Sequence, residues 1–276
     1  MQHDNLGIGF ISVFGMPPVA YVELAAELGC PNISIGLLQS SCDPHGYPRY
    51  FLREDAALRR EIKAALRANG VSISLGENLM VPAGADPRES WLADLEIFAD
   101  LGITRANSVS LEPDFALNVD RYGLAAELAG GFGVEVVLEF VPIFGVADLA
   151  TARRIVEQVD RPNLRLMIDT MHVGRSGATA ADLRDLPPER IGYIQLCDAP
   201  WRNAAMDYLT EAQFERMVPG DGELPLADYL AALPRDLVVE LEIPLLTEAQ
   251  QGRGPAERMG RAIAASRALL ASLPPN

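Results

Sequence analysis

Four polar side chains interrupt apolar runs in the second half of the chain. The runs are VVLEFV with Glu139, LRLMIDT with Asp169, YIQLCD with Gln195 and VELEI with Glu242. An unpaired carboxylate is costly to bury in such a run. These runs hold one basic residue, Arg165, which is too few to neutralise the acids. A single divalent cation would compensate three carboxylates at once, and a set of oxygen ligands favours Mg²⁺ or Mn²⁺ over Zn²⁺.

Two residue types are scarce, and their scarcity narrows the chemistry. The only lysine, Lys63, lies in the strongly helical stretch DAALRREIKAALRANG. This disfavours an aldolase, because a Schiff-base mechanism needs a lysine that is desolvated in the active site. The three histidines are His3, His45 and His172, so a site built mainly from histidines is hard to assemble.

Eight short apolar runs alternate with amphipathic stretches, which is typical of parallel strands joined by helices. The runs begin at Leu6, Asn32, Val71, Ile103, Val134, Leu164, Ile191 and Leu237. Gly29, Gly70 and Gly102 each stand between a helical stretch and the next run, as helix C-caps do. Eight such units predict an α/β fold, a (β/α)8 TIM barrel forming one domain over residues 1–276. An open doubly wound sheet shares the alternation, but no GxGxxG or P-loop motif follows the first run.

The barrel prediction gathers the four polar residues in one place. TIM barrels carry their active sites at the C-terminal ends of the strands, and the four residues belong to predicted strands five to eight. Strand eight offers two acids, Glu240 and Glu242, on the same face, because side chains repeat every two residues. Glu242 is the predicted ligand because it lies closer to the C-terminal mouth. Glu240 either supports a ligand or lies deeper in the barrel.

Composition narrows the partners. The chain has 276 residues, 49% of them hydrophobic, and a formal net charge of -15. An acidic surface repels phosphate backbones and anionic lipid, so we expect neither nucleic-acid nor membrane binding. No secretory signal and no apolar run of roughly 20 residues is present. The odd, scattered cysteines indicate a reduced compartment, and we expect a cytoplasmic enzyme. The sequence leaves homo-oligomer formation open.

Motifs in the second half resemble the xylose isomerase-like family of sugar phosphate isomerases and epimerases. They are Glu139, Asp169-Thr-Met-His172, Gln195-Leu-Cys-Asp198-Ala-Pro, Pro219-Gly-Asp-Gly222 and Glu242-Ile-Pro. The likeness covers the first half only in its general rhythm. It implies a barrel with one metal held by a Glu, an Asp, a His or Gln, and a Glu from the last four strands. In this chain those ligands are Glu139, Asp169, Gln195 and Glu242.

The resemblance also implies residues that contact a small carbohydrate-like substrate. His172 matches the family's histidine after the metal aspartate, and Arg216 matches an arginine that faces the substrate in many members. Arg175 is a candidate by its position alone: just past strand six, it either binds a carboxylate or phosphate or lies at the surface. Where epimerases of the family commonly have His, this chain has Gln195. The 3-dehydroshikimate dehydratases of the same superfamily have Gln there, within a QLxDAP motif.

Isomerisation and dehydration would use the same ligands. A metal that polarises a carbonyl acidifies the neighbouring C–H, and Glu139 and Glu242 are the predicted acid–base pair. The first hypothesis is an isomerase or epimerase of a keto sugar or sugar phosphate, acting by proton transfer through an enediolate. The alternative is a dehydratase of a cyclic polyhydroxy ketone such as 3-dehydroshikimate or an inosose. A barrel that binds a ligand without turnover is less favoured, because all four ligands are present.

Overall fold

The eight apolar runs form eight parallel strands, which pair in chain order and close into one barrel. In the computed structural model, which describes residues 5–274, the strands are β1 Leu6–Ile8, β2 Asn32–Ile35, β3 Ser72–Gly76, β4 Arg105–Ser108, β5 Glu135–Glu139, β6 Leu164–Asp169, β7 Ile191–Leu196 and β8 Val239–Leu241. The predicted (β/α)8 TIM barrel is therefore confirmed. Its extent over 1–276 stays a prediction, because residues 1–4, with His3, and 275–276 lie outside the described part.

Helices surround the barrel and connect its strands. They are α1 Pro18–Glu27, α2 Ala56–Asn69, α3 Arg88–Leu101, α4 Phe115–Gly131, α5 Leu149–Val159, α6 Thr170–Ser176, α7 Ala180–Arg184, α8 Tyr208–Phe214, α9 Leu226–Ala231, α10 Leu246–Gln250 and α11 Pro255–Ser272. The predicted caps Gly29, Gly70 and Gly102 have φ values of 65°, 66° and 76°. This left-handed conformation suits glycine and ends each helix ahead of the next strand. Within the described residues, no helix has the length and hydropathy needed to cross a membrane.

The first strand is shorter than the run LGIGFISVF predicts. The strand ends at Ile8, and Phe10–Val13 form a 3₁₀ helix. Two groups of this segment, the Gly9 amide and the Ser12 hydroxyl, donate hydrogen bonds to the Leu241 carbonyl, at 2.9 and 3.0 Å. The Ser12 hydroxyl also accepts a hydrogen bond from the Ile243 amide at 2.8 Å. The 3₁₀ helix thus provides hydrogen-bond partners for the Leu241 carbonyl and the Ile243 amide, where β1 meets β8.

Side chains inside the barrel lie in layers. Leu75, Val137, Met167 and Tyr193 form a buried apolar cluster separate from the larger core. Side chains of a strand alternate between its two faces, so residues two positions further on face the same side. Those residues are Glu77, Glu139, Asp169 and Gln195. The apolar layer is therefore the floor beneath a polar layer at the mouth of the barrel.

An ion-pair network lies at the N-terminal side of that apolar floor. The Glu135 carboxylate contacts Arg105 Nε at 2.6 Å and Arg165 Nη2 at 2.5 Å. Arg165 is the one basic residue in the four apolar runs that the polar residues interrupt. It therefore forms its ion pair away from the mouth of the barrel. Lys63 lies on α2 and pairs with Asp100 at 2.6 Å, also away from the mouth.

Candidate metal centre and active site

The predicted metal ligands all lie at the C-terminal mouth of the barrel. Glu139 and Asp169 are the last residues of β5 and β6, Gln195 lies in β7, and Glu242 follows β8 directly. Asp169 is in register with Gln195, and Gln195 is in register with Glu240. All four predicted side chains are buried. Their place in the fold thus agrees with the prediction, while metal binding by them stays a prediction.

Two groups of ionisable side chains occupy this mouth. One ligand atom from each of Glu139, Asp169 and His172 lies within 4.8 Å of the others, and the same holds for Glu77, Glu240 and Glu242. Gln195 contacts the second group, because its Nε2 donates to Glu240 Oε1 at 3.0 Å and Glu242 Oε1 at 3.1 Å. Glu242 lines the central cavity, which supports the choice of Glu242 over Glu240 as a ligand.

Arg216 connects the two groups. Its Nη1 lies 2.5 Å from Asp169 Oδ2 and 2.8 Å from Glu242 Oε2, and its Nε donates to the Ala212 carbonyl at 2.6 Å. Burial alone would lower the pKa of the Arg216 guanidinium, but Asp169 and Glu242 hold it well above its ordinary value. Arg216 lies in the segment between β7 and β8. A count of the basic residues within the strands therefore did not include it. Arg216 thus offsets part of the negative charge that the sequence argument assigned to a metal.

Asp169 has partners on both of its oxygens. Its Oδ1 accepts from the Met171 and His172 amides at 2.7 and 3.0 Å and caps α6, while Oδ2 faces Arg216. Burial raises the pKa of Asp169, but the Arg216 guanidinium is the leading opposing cause, and the pKa of Asp169 lies below its usual range. Asp169 is therefore ionised, and a carboxylate with about four lone-pair sites retains room for a further cation.

The remaining acids are crowded. Burial raises the pKa of Glu240 to about 7. Burial also raises the pKa of Glu242 well above its ordinary value, with Arg216 opposing this and the Asp169 charge reinforcing it. One guanidinium is too little to compensate the acids gathered here. The crowding is of the kind that a bound divalent cation relieves.

One oxygen tests whether the donor set fits a metal. Gln195 Oε1 is buried and has no hydrogen-bond partner within residues 5–274. Glu242 Oε2, in contrast, is paired with Arg216 Nη1 at 2.8 Å. Buried oxygens are normally satisfied, and a hard divalent cation is a suitable partner for amide and carboxylate oxygens. The donor set therefore fits such an ion.

His172 lies between Glu139 and Tyr208. Its Nε2 is 3.1 Å from Glu139 Oε1, and its Nδ1 is 2.5 Å from the Tyr208 hydroxyl. Nε2 faces a carboxylate oxygen, which only accepts, so Nε2 carries a proton and donates to Glu139. In the neutral ring Nδ1 is then the acceptor, and the Tyr208 hydroxyl donates to it. Sequence reasoning missed Tyr208, since it begins α8 in a segment without a motif.

Arg175 is directed towards α8. Its Nη2 lies 2.8 Å from both carboxylate oxygens of Glu211, and its Nε donates to the Pro200 carbonyl at 3.0 Å. Its guanidinium also lies 5.8 Å from the centre of the Tyr208 ring. Substrate binding by Arg175 stays a prediction, and these contacts favour a role in positioning Tyr208.

The PGDG turn is held by Asp198. Its carboxylate accepts from the Ala199, Gly220 and Leu224 amides at 2.9, 2.9 and 3.1 Å. Asp198 also pairs with Met217 in an isolated antiparallel bridge, next to Arg216. The QLxDAP and PGDG motifs are therefore parts of one loop assembly that places the Arg216 side chain.

A cavity of about 360 Å³ opens at the mouth of the barrel, a size typical of small-molecule sites. Of the four predicted ligands, Glu139 and Glu242 line it, whereas Asp169 and Gln195 are fully buried and do not. Its polar wall also includes Glu77, Asn107, His172 and Arg216, and Phe10 and Phe144 supply apolar surface. Sequence reasoning missed two of these. Glu77 follows Leu75 by two residues. The two-residue period of a strand is therefore the one sequence signal that places Glu77 on the inner face of the barrel. Asn107 lies on β4 within an otherwise unremarkable run.

Comparisons with known proteins agree with this architecture. A family profile described as xylose isomerase-like TIM barrel matches residues 22–267. A 3-dehydroshikimate dehydratase of Pseudomonas putida is 32% identical over 122 residues, 44% of this chain and 19% of that protein. An inosose isomerase of Halalkalibacterium halodurans is 31% identical over 110 residues, 39% of this chain and 38% of that protein. The matched segments thus span well under half of these curated relatives.

Solved structures show the same fold at low identity. The IolI protein, solved with a bound zinc atom, superposes with a TM-score of 0.81 at 18% identity, covering 99% of this chain and 100% of that one. The D-psicose 3-epimerase of Clostridium cellulolyticum H10, solved with D-tagatose, gives a TM-score of 0.70 at 17% identity, covering 96% and 99%. At these identities the likeness establishes the fold.

Proposed function

The chain belongs to the xylose isomerase-like TIM-barrel family, and we propose that it is a divalent-metal-dependent isomerase or epimerase of a keto sugar. The observation that carries this proposal is the acid cluster at the barrel mouth, in which buried Gln195 Oε1 has no partner among the described residues. The relatives named inosose isomerase and D-psicose 3-epimerase support the same reaction class.

The metal ligands in this proposal are Glu139, Asp169, Gln195 and Glu242. Their oxygen donors favour Mn²⁺ or Mg²⁺. Zn²⁺ belongs in any metal titration, because the IolI protein was solved with zinc. When bound, the ion would polarise a substrate carbonyl and acidify the adjacent C–H.

The protein's own groups then move the proton. The His172 Nε2–H group donates to Glu139 Oε1 and holds that carboxylate at the cavity wall. Glu139 takes the proton from the carbon next to the carbonyl, and Glu242, from β8, returns one. Return to the opposite face of the same carbon gives an epimer, and return to the neighbouring carbon gives an isomer. Arg216 beside Glu242 stabilises its charged form after the proton has left.

A dehydratase is the second candidate, and Gln195 is the residue that favours it. The QLCDAP motif and the match to the Pseudomonas putida 3-dehydroshikimate dehydratase support this alternative. In that reaction Glu139 removes the proton from the carbon next to the carbonyl, and the hydroxyl on the carbon β to the carbonyl leaves as water after it takes a proton from Glu242. A carboxylated substrate would need a cation. Among the described residues that line the cavity, Arg216 is the only lysine or arginine, and it faces two acids.

Incubation in D₂O separates the candidates. Protein loaded with Mn²⁺, Mg²⁺ or Zn²⁺ is given ketohexoses, inososes or 3-dehydroshikimate, and the products are weighed by mass spectrometry. Deuterium uptake with an otherwise unchanged mass indicates isomerisation or epimerisation, and loss of water indicates dehydration. We expect Glu139→Gln to abolish exchange and Lys63→Met, on α2, to retain it. Failure to bind any of the three metals stoichiometrically would refute the proposal.

A further inference from the structure

The orientation of the Asn107 side-chain amide is determined by its neighbours. Its Nδ2 donates to Glu77 Oε2 at 3.1 Å and to Glu139 Oε2 at 2.8 Å. The reverse orientation would set an amide oxygen against two carboxyl groups, and only the nitrogen end has hydrogens to give. The nitrogen therefore faces the acids, and the oxygen is left for another partner.

That oxygen has no partner. Asn107 is 7% exposed and lines the cavity, and its Oδ1 makes no hydrogen bond with any group in residues 5–274. Leaving a buried acceptor unsatisfied is unfavourable. A hydroxyl donated by a bound molecule would satisfy it. At the β3–β4 side of the mouth, Asn107 Oδ1 is thus available to accept a hydrogen bond from a bound molecule.

The described side chains beside Asn107 are not arranged to bind an anion. Glu77 and Glu139 flank Asn107, and within the described part of the chain Arg216 is the only guanidinium or ammonium group on the cavity wall. Arg216 faces Asp169 and Glu242. Among the described residues, no basic side chain is therefore placed to pair with a phosphate beside Asn107, whereas a hydroxyl group can donate to Asn107 Oδ1.

We propose that Asn107 and Glu77 form a hydroxyl-binding subsite that takes an uncharged part of the substrate, so that unphosphorylated polyhydroxy ketones are accepted and sugar phosphates are rejected. Asn107 Oδ1 accepts one hydroxyl hydrogen, and a Glu77 oxygen accepts another. The subsite rests on the proposed function only for the identity of the reacting carbonyl. Its recognition of hydroxyl groups is a property of binding and can be measured without turnover.

Binding experiments test the subsite. The Mg²⁺-loaded protein is titrated calorimetrically with D-fructose and myo-inositol, and with D-fructose 6-phosphate. We expect at least tenfold tighter binding of the better uncharged polyol than of the phosphate. Asn107→Leu removes the acceptor and should weaken polyol binding about three- to tenfold, the range for one hydrogen bond. The control Asn163→Ala removes an amide that bonds the Ala126 and Val134 carbonyls, and it should bind the polyol as the wild type does.

A second variant covers the case in which Asn107→Leu does not fold. Glu77→Gln keeps the size of the side chain and replaces one carboxyl oxygen with an NH₂ group that cannot accept a hydrogen bond, so it should weaken polyol binding. Equal or tighter binding of the phosphate by the wild type, no binding of either polyol, or unchanged polyol binding by Glu77→Gln would overturn the subsite. Polyol binding with the expected preference but no deuterium exchange on any substrate would refute the proposed function and leave the subsite standing.

Discussion

At the scale of single residues, the histidine beside Glu139 depends on a tyrosine from a different helix, α8. The Tyr208 hydroxyl donates to His172 Nδ1 and so keeps the imidazole proton on Nε2, facing Glu139. Without that donor the ring would be free to change tautomer and turn its acceptor nitrogen towards the carboxylate. Tyr208 thus sets the geometry of Glu139 indirectly, through His172.

We therefore predict that Tyr208→Phe lowers kcat for solvent-proton exchange about tenfold while changing KM little. The reason is that the phenyl ring retains the packing and loses only the hydrogen bond. Tyr229→Phe is the matched control, since Tyr229 is a buried tyrosine on α9 that does not line the cavity. Exchange kinetics measure both parameters. Equal kcat values for wild type and Tyr208→Phe would contradict this role.

Arg216 gives a second prediction at this scale. Replacing it with Met leaves Asp169 and Glu242 as neighbouring buried acids without their shared cation. Breaking a buried pair on one side typically costs about 3–5 kcal/mol, and we expect a loss of that order in urea unfolding without metal. Mg²⁺ should restore part of the loss, because it would replace the missing charge. An unchanged unfolding midpoint would mean that the pair contributes no stability.

The residues of the site were predictable to different degrees. Asp169 and Glu139 stand out because an acid that ends an apolar strand has few explanations. Glu77 could have been found from the same period of two that links it to Leu75. The Arg216 contacts could not, because a loop side chain reaches the mouth only through tertiary structure. The orphaned Oδ1 of Asn107 is a matter of hydrogen-bond geometry, which a sequence pattern does not encode.

At the scale of elements, the loop assembly after β7 depends on close packing. A Cβ atom on Gly222 would lie 2.3 Å from Asp198 Oδ1. The Asp198 carboxylate cannot move away without losing its hydrogen bonds to the Ala199, Gly220 and Leu224 amides. Glycine at position 222 is therefore required for the Asp198 carboxylate to hold the PGDG turn. This turn directly follows the segment that carries Arg216.

We predict that Gly222→Ala destabilises the fold by about 1–3 kcal/mol, the usual cost of overpacking. It should also reduce the exchange activity, because Arg216 is anchored through the same loop. Gly131→Ala is the control, since a Cβ there meets nothing within 4 Å at the end of α4. Urea unfolding compares the two variants. Similar stabilities for both would show that the loop adapts to the extra carbon.

The elements themselves followed from periodicity, with one exception. All eight strands begin within two residues of the predicted runs. The exception is the end of β1, where LGIGFISVF continues as apolar sequence but turns into a 3₁₀ helix. The Ser12 hydroxyl explains the turn, because it bonds both the Leu241 carbonyl and the Ile243 amide. Hydropathy does not distinguish such a segment from the rest of a strand.

At the scale of the whole molecule, the net negative charge of the chain matters most at the mouth of the barrel. The net charge of -15 is spread over the chain, but the mouth of the barrel concentrates buried acids around one guanidinium. Binding a divalent cation there would stabilise the folded state, because the unfolded chain has no preformed site. A ligand at about 100 times its Kd adds about 2.7 kcal/mol of stability.

We expect Mn²⁺ or Mg²⁺ at saturating concentration to raise the melting temperature by about 5–8 °C, and EDTA to reverse the rise. General screening of the negative surface would also stabilise the fold, so NaCl at the same ionic strength measures that contribution. Glu139→Gln supplies the second comparison, because it removes one ligand and leaves the surface charge almost unchanged. A rise that NaCl reproduces, or that Glu139→Gln retains in full, would place the cation effect outside the barrel mouth.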